Sequence, residues 1–302
     1  MIQFLKSMKN LTQYSWLFSA ITLIAGFLFL HFGLVNYGTT FFVIFPLAVG
    51  FSIGTHETLV ERGWLSIGLS LLIFFGFLLA GALEGLICVA MALPIYLIAM
   101  GIGYLIQRSR KQRTPLDVTD HLINSLSPLV ILLVLNPVEQ ALTPEPGLVE
   151  IETSVLLPYE AELVFDQVKQ MDKLDAEKPW GIWLGLPAPY RCILEAETIG
   201  SKRHCLFENG SIIAEITRYE KGKVLEMDVV DYSLTGREWF HFLDATYTFE
   251  RVEGQTKVTR TSSYKSVLYP RLYWKPLEGW GIEQEHKFVL ASLRKNLEEL
   301  SR

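Results

Sequence analysis

Charge is nearly missing from the first 137 residues. Of 27 Lys/Arg and 32 Asp/Glu in the chain, only seven and five fall there, which leaves twenty and twenty-seven for residues 138 to 302. So poor a segment excludes an ordinary soluble domain and points to the membrane class. Cysteine is also scarce, three in 302 residues, too few for a disulfide-dense scaffold. The charged half has no long basic run, so nucleic acid is not an expected partner. No metal cluster is visible, and neither metal nor cofactor is expected. Paired intramembrane charges are missing as well, which leaves little support for a pump or channel.

What the first half does have is apolar length. Trp64 to Ile106 is about twice the 20 residues that cross ~30 Å of hydrocarbon, so it must be two helices. Gly81-Ala82-Leu83-Glu84-Gly85 supplies the reversal, with two glycines for a tight turn and a carboxylate that reaches the headgroups. Tyr14 to Leu34, after Lys6 and Lys9, is longer than a usual signal-peptide core and reads as a retained anchor. Thr40 to Gly54 is a short span, and Leu122 to Leu135, interrupted by Asn124, Ser125, Ser127 and Pro128, a shorter one. The expectation is about five spans.

The basic loop "QRSRKQR", residues 107 to 113, sets orientation because Lys and Arg collect on the cytoplasmic side. With it inside, Lys6 and Lys9 are inside too. A spanning fifth segment then places the second half outside, periplasmic if this is a bacterial inner-membrane protein. A re-entrant one leaves it in the cytoplasm. "GFSIG" at Gly50 to Gly54 fits G-x-S-x-G, but that motif needs a strand-to-helix turn, and small residues for helix contact are the better reading. "HETLVE" from His56 lacks the second His of H-E-x-x-H and reads as a solvated loop.

The domain plan is a multi-pass membrane domain over 1–137, a linker over 138–148, and a globular domain over 149–302. In the last, "VEIETSV" reads as a strand and "PYEAELVFDQVKQM" as a helix. Strands follow near 190–198, 203–208, 211–218, 223–230, 243–251 and 257–265, then an amphipathic helix from about Leu277 to Leu300. This is an α+β plan with the last helix covering a curved antiparallel sheet.

A turn at Asn209-Gly210 pairs 207 with 212, 205 with 214 and 203 with 216. Arg203, Cys205, Phe207, Ile212, Ala214, Ile216 and Arg218 then share the concave face, with His204 opposite Glu215 outside. Arg203 either pairs with a carboxylate at the rim or contacts an anionic ligand group. Leu243, Ala245, Tyr247 and Phe249 share one face, and Val258, Arg260, Ser262 and Tyr264 another; if both sets face inward, the floor of the sheet carries tyrosine hydroxyls and a second arginine. His286 lies on the helix stripe facing the sheet, as a hydrogen-bonded structural residue or as an acid/base. A turn at Gly200-Ser201 pairs 205 with 196, so Cys192 and Cys205 are expected as free thiols.

"IGSKRHCLFENGSIIAEITRYEKGKVLEMDV" (199 to 229), "TSSYKSVLYPRLYWKPLEGWGIEQEHKFVL" (261 to 290) and "PWGIWLGLP" (179 to 187) resemble membrane-linked members of the SRPBCC superfamily, the START-like polyketide cyclase/dehydrase and lipid-transport group. The resemblance covers the chain from residue 149 onward. It implies a helix-grip fold with a cavity under the last helix, and a recognisable pattern at Arg203, Cys205, Phe207, Glu215, Tyr264, Pro270, Tyr273, Trp274 and His286. Arg260 departs from that pattern.

The leading expectation is a membrane-anchored binding module for a hydrophobic small molecule or lipid, non-enzymatic, with Trp180, Trp183, Arg203, Tyr247, Tyr264, Tyr273, Trp274 and His286 around the ligand. The alternatives are a cyclase/dehydratase-like enzyme with His286 as acid/base and Arg203 or Tyr264 stabilising an enolate, and an interaction or stress-response protein that binds another membrane protein.

Overall fold

The computed structural model describes residues 15–56, 60–110, 118–234 and 239–301. Lys6, Lys9, the 111–113 part of the basic loop and residues 57–59 of the "HETLVE" loop lie outside them. The chain divides into two compact units, Met1–Glu145 with Leu268–Leu272, and Pro146–Val267 with Tyr273–Arg302.

The first unit is helical: α1 (Ser15–His31), a π-helical turn (Thr40–Ile44) running into α2 (Phe45–His56), α3 (Val60–Ala80), α4 (Leu86–Ser109) and α5 (Val118–Leu142). Three segments are long and apolar enough to cross a membrane: Val60–Ala80, Leu86–Ser109 and Ile123–Leu142. Ser15–His31 and Thr40–Thr55 are apolar but shorter. α3 and α4 reverse over residues 81–85, where Ala82 takes φ 50°. The "GFSIG" glycines lie at a helix contact. A Cβ on Gly50 would run into the Met100 carbonyl, and one on Gly103 of α4 into the Leu47 carbonyl, so α2 and α4 touch backbone to backbone.

The last helix corrects the sequence reading, for it continues seven residues beyond Leu135 and through the start of the expected linker. Polar side chains there have fixed partners. Asn136 accepts from the Asn36 N–H at 3.0 Å, and the Glu139 carboxylate accepts from the Thr39 and Thr40 N–H groups at 2.6 and 2.8 Å. Those N–H groups open the Thr40 turn and have no partner inside their own helix, so an acidic residue of α5 caps the helix of another segment.

The second unit comprises β1 (Val149–Leu157), α6 (Ala161–Lys169), a short α7 (Trp180–Trp183), β2 (Pro189–Leu194), β3 (Lys202–Phe207), β4 (Gly210–Glu220), β5 (Val224–Tyr232), β6 (Phe240–Val252), β7 (Gln255–Ser266) and α8 (Arg271–Leu300). The strands form one antiparallel sheet in the order β1-β7-β6-β5-β4-β3-β2. From β2 to β7 each strand pairs with the next in sequence, and β1 pairs with β7. Phe288, Val289, Leu290, Leu293 and Leu297 of α8 enter one apolar cluster with Leu157, Phe165, Ile216, Leu225, Met227, Tyr247, Phe249 and Val258. This is an α+β unit whose long last helix packs on a curled antiparallel half-barrel.

Register departs from expectation in four places. Phe207 pairs with Gly210, Cys205 with Ile212 and Arg203 with Ala214, because Gly210 at φ 142° already belongs to β4 and the turn is Glu208-Asn209. The shift is by two residues, so each side chain keeps its face. A bulge at Thr217 then advances the alternation by one, and Arg218 points outward to Glu220 and Glu226 at 2.7 and 3.2 Å. A second bulge, at Leu243, puts Phe242 rather than Leu243 against Tyr264. His204 lies opposite Ile213 and binds Glu195 at 2.7 Å.

The thiols are the fourth correction. β2 ends at Leu194 and β3 starts at Lys202, so residues 195–201 form a wider loop than a turn at Gly200-Ser201 requires. Cys192 then falls directly opposite Cys205, with Cα atoms 4.1 Å apart, and the two form a disulfide. Blocking the denatured, unreduced protein with a maleimide should modify Cys88 alone. After reduction, three thiols should react; three before reduction would refute the pairing.

Candidate functional site

The chemistry of the second unit concentrates between α8 and the sheet. On β7 the alternation of a strand turns Arg260, Ser262, Tyr264 and Ser266 to the same side. On α8, Glu278, Glu285 and His286 share the face that meets them, seven or eight residues apart. The Tyr264 hydroxyl donates to Glu278 at 3.2 Å and the Ser266 hydroxyl to its other oxygen at 2.6 Å. Arg260 meets Glu285 through both outer nitrogens, at 2.9 and 3.2 Å. His286 has Thr153 of β1 at 3.1 Å on Nδ1 and Ser262 at 2.9 Å on Nε2. The result is a polar seam along the helix–sheet contact. It separates the main apolar cluster from a smaller one of Phe240, Tyr264 and Ile282, where the Phe240 and Tyr264 rings stack 4.5 Å apart.

Electrostatics follow from this packing. His286 is fully buried. Burial first, and then the nearby Arg260 charge, lower its pKa to about 2, so the ring is neutral at physiological pH with both nitrogens occupied by hydroxyls. That suits a structural residue better than a proton shuttle, which needs a free nitrogen within reach of a substrate. Burial works against the Arg260 charge, but Glu285 and Tyr247 together outweigh it and raise that guanidinium's pKa. Arg203 is 4% exposed, and burial lowers its pKa, with Tyr247 opposing.

The rim carboxylate expected for Arg203 is not its partner. Its Nε donates to the Lys169 carbonyl at 3.2 Å and Nη2 to Val168 at 2.9 Å, the last carbonyls of α6, where a cation complements the helix dipole. Its Nη1 meets the Met227 sulfur at 3.8 Å, and Tyr247 also hydrogen-bonds the guanidinium. Both guanidinium carbons lie near the Tyr247 ring, Arg203 at 5.9 Å and Arg260 at 5.5 Å, a distance at which cation–π attraction counts.

The structure thus brings Arg203, Tyr247, Tyr264 and His286 into the interior and adds Arg260, Glu278, Glu285, Ser262, Ser266 and Thr153. The other four expected residues lie apart. Trp274 is buried in the first turn of α8, with Tyr273 packed edge-on against it at 5.1 Å; twelve residues of helix, about 18 Å, separate Trp274 from His286. Trp180 and Trp183 are 61% and 76% exposed. Glu278 and Glu285 were missed because a carboxylate on an amphipathic helix ordinarily reads as solvent-facing. Their seven-residue spacing, matched to the polar alternation of β7, was the available signal.

Outside the seam, an open groove of about 410 Å³ is lined by Glu150, Glu226, Asp228, Asp244 and neighbouring hydroxyls, with Asp228 and Asp244 directly opposite in the β5–β6 pair. Among the described residues no group of three or more His, Cys, Asp or Glu is placed to hold a metal.

No family model matches the chain, and no curated protein does. Solved structures similar to its C-terminal half include a START superfamily protein from Mycobacterium smegmatis, 12% identical over 51% of this chain and 99% of that one, TM-score 0.37. An aromatase/cyclase from a Streptomyces species is 12% identical over 52% and 97%, TM-score 0.36. A truncated norcoclaurine synthase from Thalictrum flavum is 9% identical over 51% and 96%, TM-score 0.36.

Proposed function

We propose that this protein is a membrane-anchored binding module for a hydrophobic small molecule or lipid. One observation carries the reading: α8 lies along the inner face of the sheet, where large apolar side chains meet a few fixed polar groups, the mixture that ligand sites use to hold and orient an apolar guest. In this reading the guest lies against Ile216, Met227 and Tyr247, and its polar end is drawn to the buried Arg203 guanidinium beside Met227. All five apolar helical segments span, the N-terminus is cytoplasmic, and the second unit is outside. The Cys192–Cys205 bond supports that side, since disulfides persist in oxidising compartments. His286 serves packing, and no turnover is assigned.

Native mass spectrometry of the detergent-purified protein, followed by solvent extraction, tests this. One hydrophobe per chain is expected, lost in Met227→Trp, whose larger side chain would take the guest's place beside Ile216. No stoichiometric hydrophobe from repeated preparations would overturn the binding reading. A reporter fused to the C-terminus that signals from the cytoplasm would overturn the topology.

A further inference from the structure

Two indoles stand in the open on one turn of the second unit. Trp180 and Trp183, three residues apart on α7, lie on one face. The opposite side of the turn is fixed. Ile182 is buried in the main apolar cluster, and Gly181 is so close to Leu186, Trp280 and Gln284 that a Cβ there would collide with Leu186 and Trp280. The Trp180 ring rests on that of Trp280, centroids 4.5 Å apart, and Gly185 at φ 98° reverses the chain directly behind. The packing therefore holds Trp183 outward.

An indole pairs a large apolar body with one N–H, which suits the boundary between hydrocarbon and water, and tryptophan collects there in membrane proteins. A bilayer is also the apolar surface this unit meets at the highest local concentration. α5 belongs to the set of helices apolar enough to cross a membrane, and only residues 143–148 separate it from β1, a tether of about 20 Å when fully extended. Lys178, half exposed just before the turn, is loosely paired with the exposed Glu208 at 3.7 Å, and its stem is long enough to reach headgroup phosphates instead.

We infer that α7 is an interfacial anchor: Trp180 and Trp183 insert into the headgroup layer of the bilayer that holds the helices of the same chain. The inference rests on the membrane part of the function proposed above and on no ligand.

The test uses the full chain in phosphatidylcholine/phosphatidylglycerol vesicles, with and without lipids brominated near the headgroup end of the acyl chains. Subtracting the emission of Trp183→Phe from that of the parent isolates Trp183. The expected result is at least twofold quenching of that difference emission by brominated lipid, with little quenching by aqueous acrylamide. Quenching by acrylamide alone would overturn the proposal. Protection from both quenchers would also overturn it, and would point to a protein partner or a second copy on α7. The double variant Trp180→Phe/Trp183→Phe still carries Trp16 and Trp64 in the apolar helices. If brominated lipid leaves its emission unchanged, the membrane reading fails and takes this inference with it; if that emission is quenched while the Trp183 signal is not, only the anchor fails.

Discussion

Arg260→Met should lower the midpoint of thermal unfolding by roughly 6–12 °C, equivalent to about 3 kcal/mol for a unit of this size. Arg260 and Glu285 are 13% and 16% exposed at the side chain and joined by two parallel bonds. Removing the guanidinium strands a carboxylate against the sheet, where its desolvation is no longer offset. Glu285→Leu in the same chain removes that stranded charge, so the double variant should recover most of the loss. Circular dichroism of the full chain in detergent reads both. A double variant as unstable as the single one would show that methionine packing, not the lost pair, causes the effect.

The second large effect belongs to His286. His286→Ala opens space in a fully buried site and leaves the Thr153 and Ser262 hydroxyls without their shared partner; cavity and lost bonds together should cost about 3 kcal/mol. The pH dependence is more specific. Folding lowers the ring's pKa from its ordinary 6.5 to about 2, so below pH 6.5 the unfolded chain takes up a proton that the folded chain refuses. The contribution of His286 is therefore complete above pH 6.5. It declines by about 1.4 kcal/mol per unit as the pH falls toward 2. Between pH 6.5 and 5 the parent should lose about 2 kcal/mol more than His286→Asn in denaturant titrations. Equal losses would mean that the ring is not held neutral.

Much of this fold follows from two periodicities. Alternation in the strands put Arg203, Ala245, Tyr247, Val258, Arg260, Ser262 and Tyr264 inside, and all seven are there. Face assignment survives a register error of two, which is why the wrong pairing of β3 with β4 did no harm. It does not survive a bulge, and those at Thr217 and Leu243 reversed Arg218 and exchanged Leu243 for Phe242. Bulges leave no mark in a hydrophobic pattern. The disulfide was hidden by loop length, which a glycine alone does not determine. α5 was read as ending at Leu135 because Asn136-Pro137 opens a Pro-containing stretch that reads as a linker; partners far along the chain override that propensity, as the Asn136 and Glu139 contacts show.

Within the interior, Tyr264 and His286 help to hold α8 in place. Bonds at residues 260, 262, 264 and 266 on one side and at 278, 285 and 286 on the other key the helix at three points. Sliding by one turn, about 5.4 Å, would part every one of them at once and place carboxylates against Ile and Val. The helix is thus a fixed doorpost. A guest of the kind proposed above would have to enter without displacing it.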